Sequence, residues 1–158
     1  MLKIIDYLQT GNIYLDAVLE SKTDVLKYIA DVCVQNGIAK NSSKLYEGLI
    51  QRERTMSTGV GSGIGFPHTT SPEAKDAAVV LVRLVKPIDF DSLDHLPVDI
   101  ILALIIPESN PAIHVRLLAR VSRLCQQPEF LAAIRQADGS KRLFEQIKLL
   151  EENTSFYQ

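Results

Sequence analysis

Two runs of the sequence leave little choice about where they can sit. Ala77-Ala-Val-Val-Leu-Val-Arg-Leu84 and Val98 to Ile106 are apolar at nearly every position, with β-branched residues prominent. A strand with one wet face alternates polar and apolar residues, so runs like these predict strands covered on both faces. Pro107 ends the second run, and Pro87-Ile-Asp-Phe-Asp-Ser-Leu-Asp94 between the two reads as a loop. Helical patterns lie before and after this pair of strands. A sheet between two helical layers is the arrangement that covers both faces, which makes the chain α/β.

The helical patterns are explicit. Ile4, Ile5 and Leu8 suggest a short N-terminal helix ending at Thr10-Gly11, and Asn12 to Leu15 a brief strand. Ser21-Lys-Thr-Asp24 places a capping hydroxyl three residues ahead of an acid. Val25, Leu26, Ile29, Ala30, Cys33 and Val34 follow at helical spacing, and Asn36-Gly37 stops the helix. A second helix runs from Ser42-Ser43 to about Arg54, with Leu45, Leu49 and Ile50 on one face. After the strands, Ser109-Asn110-Pro111 reads as a cap with proline at the first helical position. Ile113, Leu117, Leu118, Val121 and Leu124 form that helix's apolar stripe. Pro128 opens a further helix through Ala137, Gly139 closes it, and Ser140 caps a last one ending near Leu150; Glu151 to Gln158 reads as a polar, frayed tail.

Several function classes drop out on composition. A formal net charge of -2 over 158 residues argues against a general nucleic-acid binder, which would be basic. The longest apolar run, Val98 to Pro107, is too short to span a bilayer and contains Asp99, so no membrane insertion is expected. The segment Met1-Leu-Lys-Ile-Ile-Asp-Tyr7 lacks the apolar core and cleavage site of a signal peptide. Cys33 and Cys125 lie far apart in helical patterns with no metal-ligand spacing, so each reads as a small buried hydrophobe in a reducing compartment. The expected location is cytoplasmic.

Chemistry concentrates in Ser57-Thr-Gly-Val-Gly-Ser-Gly-Ile-Gly-Phe-Pro-His68. Gly59, Gly61, Gly63 and Gly65 allow tight turning or close approach of a ligand, though glycines at this density also serve ordinary turns. Val60, Ile64 and Phe66 give an apolar alternation, with Ser62-Gly63 as the turn of a short hairpin. Pro67 stops the strand and presents His68 at its end; Thr69 to Lys75, polar and containing Pro72, reads as a surface loop. No P-loop lysine follows the glycines, which argues against a nucleotide site, and no Cys/His metal set or Ser/His/Asp arrangement is present; no cofactor is expected.

The other two histidines differ in promise. His95, beside Asp94 in a polar loop, reads as solvated surface. His114 lies in the first turn of its helix, either as a packed residue or, kept neutral, as an N–H donor to an anion at the helix N-terminus. Arg52 and Arg54 stand just upstream of the glycines; a guanidinium aimed at the same pocket would bind phosphate in bidentate fashion, and Arg54 reads as a solvated helix-end charge.

The stretch Leu49-Ile-Gln-Arg-Glu-Arg-Thr-Met-Ser-Thr-Gly-Val-Gly-Ser-Gly-Ile-Gly-Phe-Pro-His68 resembles the active-site signature of the fructose/mannitol-type (type 2) enzyme IIA domains of the bacterial phosphotransferase system. The likeness continues through Lys86 to Asp94, Pro97-Val-Asp99, His114-Val-Arg-Leu-Leu-Ala119 and the Pro128-Glu-Phe130 helix, and so covers nearly all of residues 1–158 as one domain. It implies a three-layer αβα sandwich around a small mixed sheet. It implies that His68 accepts a phosphoryl group from the phosphocarrier HPr or a paralogue, as tele-phosphohistidine, and passes it to a IIB component during sugar uptake. By the same likeness, the family's second active-site histidine falls on His114 and its arginine on Arg52. A regulatory EIIA of the nitrogen-related type, signalling by phosphorylation-dependent protein binding, is the alternative role. Gly65 stands where the family commonly has alanine, and Thr69-Thr-Ser-Pro72 replaces the usual small-residue turn after the histidine. Protein donors and acceptors need an open surface at His68, and an apolar rim built from residues such as Phe66 and Ile113 is expected.

Overall fold

The computed structural model describes residues 2–153. Its strands are β1 (Ile13–Ala17), β2 (Gly59–Gly61), β3 (Ile64–Gly65), β4 (His68–Ser71), β5 (Ala78–Ile88) and β6 (Val98–Pro107). Its helices are α1 (Lys22–Gln35), α2 (Ser42–Thr55), α3 (Ala112–Cys125), α4 (Pro128–Gln136) and α5 (Ser140–Asn153). All strands join one six-stranded sheet in the order β1-β5-β6-β3-β2, with β4 also on β6. The sheet is mixed: β5 and β6 are antiparallel, whereas β1 on β5 and both β3 and β4 on β6 are parallel.

The two apolar runs are β5 and β6, and their alternate side chains feed two separate cores. Val79, Leu81, Ile100, Leu102, Leu104 and Ile106 pack with Leu117, Val121 and Leu124 of α3, Phe130 and Ile134 of α4, and Leu143 and Ile147 of α5. Val80, Val82, Ile101, Ala103 and Ile105 pack with Val25, Leu26, Ile29 and Cys33 of α1 and Leu45 and Leu49 of α2. The result is the expected three-layer αβα sandwich. Fully burying each of these aliphatic side chains contributes about 1.5–3 kcal/mol, which is why neither run tolerates a regular polar alternation. Cys33 is buried and Cys125 half-buried, and burial pushes both thiols up to about 12, so both stay as thiols at neutral pH.

Most helix limits follow their caps. The Ser21 hydroxyl accepts from Asp24 N at 3.1 Å, and Asn41 caps α2 by accepting from Lys44 N at 3.1 Å. Pro111 occupies the cap position of α3, and no side chain caps that helix.

Four expectations need correction. The N-terminal helix is two short 3-10 turns, Ile4–Asp6 and Thr10–Asn12. Pro67 does not end the strand: β3 and β4 lie along β6 in one register, Ile64 facing Ile100 and His68 facing Leu104. The proline only removes one N–H from the ladder, and its carbonyl still accepts from Leu104 N at 3.0 Å. His68 therefore starts a strand, and Thr69–Ser71, expected in a loop, are paired to β6. Likewise β5 continues past Leu84 to Ile88, through the Lys86-Pro-Ile stretch that reads as loop, resuming its pairing at Ile88–Val98 after an irregularity. Finally, α5 extends to Asn153 and Glu151 is buried, not frayed; residues 154–158 of the expected tail lie outside the described residues.

Candidate functional site

Three elements converge on His68. The hairpin of β2 and β3 turns at Ser62 (φ 58°) and Gly63 (φ 80°), the two positive angles that a tight two-residue hairpin of primed type requires. Asp94 Oδ2 accepts from Ser62 N at 3.1 Å, and Arg135, bidentate to Asp99 at 3.0 and 2.9 Å, donates to Ser62 O at 2.9 Å, so the turn is clamped from both sides. Past the hairpin, strand alternation puts His68 on the same face as Ile64 and Phe66, towards α3. On the other face, Thr69 meets α2 at Gly48, where a Cβ would stand 2.6 Å from Thr69 Oγ1. A side chain at position 48 would push the Thr69 hydroxyl aside, and one turn further along α2 this close approach delivers Arg52 to His68.

The resulting geometry is specific. His68 is 6% exposed. Its Nδ1 lies 2.8 Å from the Phe66 carbonyl oxygen, and Arg52 Nε lies 3.2 Å from its Nε2. A carbonyl only accepts and a guanidinium only donates, so the two partners fix one tautomer: Nδ1 carries the proton and Nε2 presents a lone pair. Burial pushes the His68 pKa below the ordinary histidine value, with the charges of Arg52 and His114 acting in the same sense against the Phe66 hydrogen bond and Glu53. At neutral pH the ring is therefore an uncharged nucleophile.

His114 stands opposite, its ring centroid 4.9 Å from that of His68 with the planes 52° apart. Its Nε2 is buried and makes no hydrogen bond among the described residues. A buried donor or acceptor left without a partner is costly, on the order of 1–3 kcal/mol, and here it belongs to a ring packed beside that of the nucleophile. Arg52 Nη1 donates to Met56 O at 2.9 Å, which holds the guanidinium over the site from the last turn of α2.

The structure brings His68, His114 and Arg52 together and leaves Arg54 and His95 exposed. It corrects the rim. Phe66 and Ile113 are only 4% and 9% exposed and belong to the core under the sheet. Strand alternation, which turns Phe66 inward with Ile64, is the reason. Exposed apolar side chains near site residues in the chain include Met56, one helical turn after Arg52 and holding it through its carbonyl, and Val115, next to His114. Among the described residues, no three His, Cys, Asp or Glu side chains are grouped to hold a metal ion.

Sequence reasoning gives no role to Glu53 and Lys22, and reads Thr58 only as one of several hydroxyls near the site; the three are joined behind it. Glu53 is buried, accepts from Thr58 N at 2.8 Å and Thr58 Oγ1 at 2.7 Å, and pairs with Lys22 Nζ at 2.8 Å. A signal existed. Glu53 continues the Leu45, Leu49 series at a spacing of four, and a carboxylate on an apolar helical stripe needs a buried partner.

A family profile describing the EIIA 2 component of the phosphoenolpyruvate-dependent sugar phosphotransferase system matches residues 6–149. The chain belongs to this EIIA type 2 family. A relative named nitrogen regulatory protein in Bradyrhizobium diazoefficiens is 33% identical over 110 residues, 70% of this chain and 72% of the relative. A fructose-like EIIA component of Escherichia coli is 32% identical over 119 residues, 75% of this chain and 80% of that one. The EIIA fold is also that of the nitrogen regulatory protein IIA-Ntr of Neisseria meningitidis, with a TM-score of 0.84 over 91% of this chain and 98% of the other at 24% identity. As an EIIA domain the chain is a phosphoryl-transfer component, and no helix among its described residues is long and apolar enough to cross a membrane.

Proposed function

We propose that this EIIA domain is a phosphoryl carrier in which Nε2 of His68 takes the group from phospho-HPr, or a paralogue of HPr, and hands it to a second protein. The observation that carries this reading is the paired hydrogen bonding of the ring, Nδ1 to the Phe66 carbonyl and Nε2 towards Arg52. In the transfer, the Nε2 lone pair forms the bond to phosphorus while the bond to the donor atom breaks and its electron pair leaves with the donor. The imidazole becomes cationic, and the Phe66 carbonyl on Nδ1–H stabilises that charge. Arg52 and the unpartnered His114 Nε2 are the groups suited to the equatorial oxygens, whose negative charge is held by donors already in place. Met56 and Val115 offer apolar surface for the docking proteins.

Incubation with phosphoenolpyruvate, enzyme I and HPr is expected to add one acid-labile phosphoryl group, read as a single increment in intact mass. No increment with active donors contradicts the proposal.

The destination of the group distinguishes two roles. Transfer to a IIB component during sugar uptake is supported by the fructose-like relative, and a regulatory role by the relatives named nitrogen regulatory protein. Chasing the phosphorylated protein with IIB components separates them: rapid loss to IIB supports transport, and retention supports regulation.

A further inference from the structure

We infer that Glu53 is a positioning residue that sets the proton on His68 by withdrawing one N–H from the hairpin ladder. The inference rests on the carrier reading above. Gly59 faces Gly65 in the antiparallel β2–β3 pair, so Thr58 faces Phe66 next along. Phe66 N donates to Thr58 O at 3.0 Å, which makes these two a hydrogen-bonded pair. In an antiparallel ladder such a pair exchanges both bonds, and the return bond would run from Thr58 N to Phe66 O. It does not. Thr58 N donates instead to Glu53 Oε1 at 2.8 Å, and Phe66 O is left to accept from His68 Nδ1 at 2.8 Å.

The exchange of partners is held firmly. Glu53 Oε2 also accepts the Thr58 hydroxyl at 2.7 Å, Lys22 Nζ lies 2.8 Å from Oε1, and Lys22 is in turn 4.8 Å from the centroid of the Phe90 ring. Glu53, Thr58 and Phe66 are 7%, 3% and 4% exposed, so water does not supply substitutes. Pro67, with its ring-fixed φ and restriction on the preceding residue, limits how the Phe66 carbonyl can turn. Without an acceptor at position 53, Thr58 N–H and His68 Nδ1–H compete for one carbonyl oxygen. The ladder bond wins some of that competition. His68 then carries its proton on Nε2, the nitrogen that must carry the lone pair, for part of the time, against the Arg52 Nε–H that still faces it.

Long-range proton–nitrogen NMR of the unphosphorylated protein reads the tautomer directly. The wild type is expected to hold its proton on Nδ1; a wild-type ring protonated mainly on Nε2 overturns the inference with no variant needed. Glu53→Leu, which removes the acceptor, is expected to give a mixed tautomer and to slow phosphoryl uptake about 100-fold, the scale on which small misplacements of reacting groups act. Glu53→Gln keeps one oxygen for Thr58 N–H and is expected to restore most of both, whereas a role in packing alone would leave the tautomer unmoved in either variant. If folded Glu53→Leu keeps the Nδ1–H tautomer and its rate, the inference is wrong. Because the tautomer is read without a donor, a wild type that takes no phosphate defeats the carrier reading alone. An Nε2–H ring in a protein that does take phosphate defeats only the positioning role.

Discussion

Arg52→Ala is expected to slow phosphoryl uptake from phospho-HPr by about 10²–10³-fold, the usual effect of removing one prearranged donor to a developing anion. In the resting site Arg52 Nε caps the very lone pair that must attack, at 3.2 Å, so the guanidinium has to release His68 as phosphorus arrives. Its planar fork of donors then fits two phosphoryl oxygens, which a lysine ammonium cannot reproduce; Arg52→Lys is expected to recover only a small part of the rate. Stability should move little, because the Arg52 side chain is half-buried and its one bond to backbone, to Met56 O, contributes about 1 kcal/mol. Rapid-quench measurement of uptake checks this, and an Arg52→Ala rate within threefold of wild type would remove Arg52 from the mechanism.

Glu151→Ala is expected to destabilise the fold by about 3–5 kcal/mol, the scale for breaking a buried ion pair from one side. Glu151 is 1% exposed and Arg120 6%; the Glu151 Oε2 lies 2.8 Å from Arg120 Nε. The same carboxylate accepts from Ile4 N at 3.0 Å and Ile5 N at 3.1 Å, tying the N-terminal turn to the end of α5. Alanine removes the carboxylate facing a buried guanidinium and leaves two backbone N–H groups to find other acceptors. Chemical denaturation measures the loss. Replacing both charges by apolar residues, Arg120→Met with Glu151→Leu, should recover much of it, since the cost lies in a buried guanidinium that has lost its carboxylate. A loss below 1 kcal/mol in the single variant would contradict this account.

The layers of the fold are plain in the sequence because β5 and β6 alternate between two cores and therefore show no polar face at all. Other elements were hidden for definite reasons. β4 is short, lies between Pro67 and Pro72, and contains Thr69-Thr-Ser71, so it carries neither an apolar run nor a clear alternation; its pairing comes from continuing the register of β3 past the proline. The end of α5 reads as tail because Glu151 looks like solvent-facing charge. It is in fact the next member of the series Leu143, Ile147, Glu151, just as Arg120 falls on the stripe of Leu117, Val121 and Leu124. Charges on two apolar stripes are a sign that they pair with each other. At the site, the family signature points to His68 and Arg52 and the wider likeness to His114, and the fold places the three side by side. The partner exchange at Thr58 and Phe66 is not legible there, since which carbonyl a ring nitrogen meets depends on hairpin register to a single residue.

The most direct test of the account is the position of the phosphoryl group, read by long-range proton–nitrogen and phosphorus NMR on the phosphorylated protein. The account predicts phosphorus on Nε2 of His68, with the Nδ1 proton retained against the Phe66 carbonyl, and no uptake at all in His68→Ala. Phosphorus on Nδ1, or on His114, or uptake that survives His68→Ala, would contradict it.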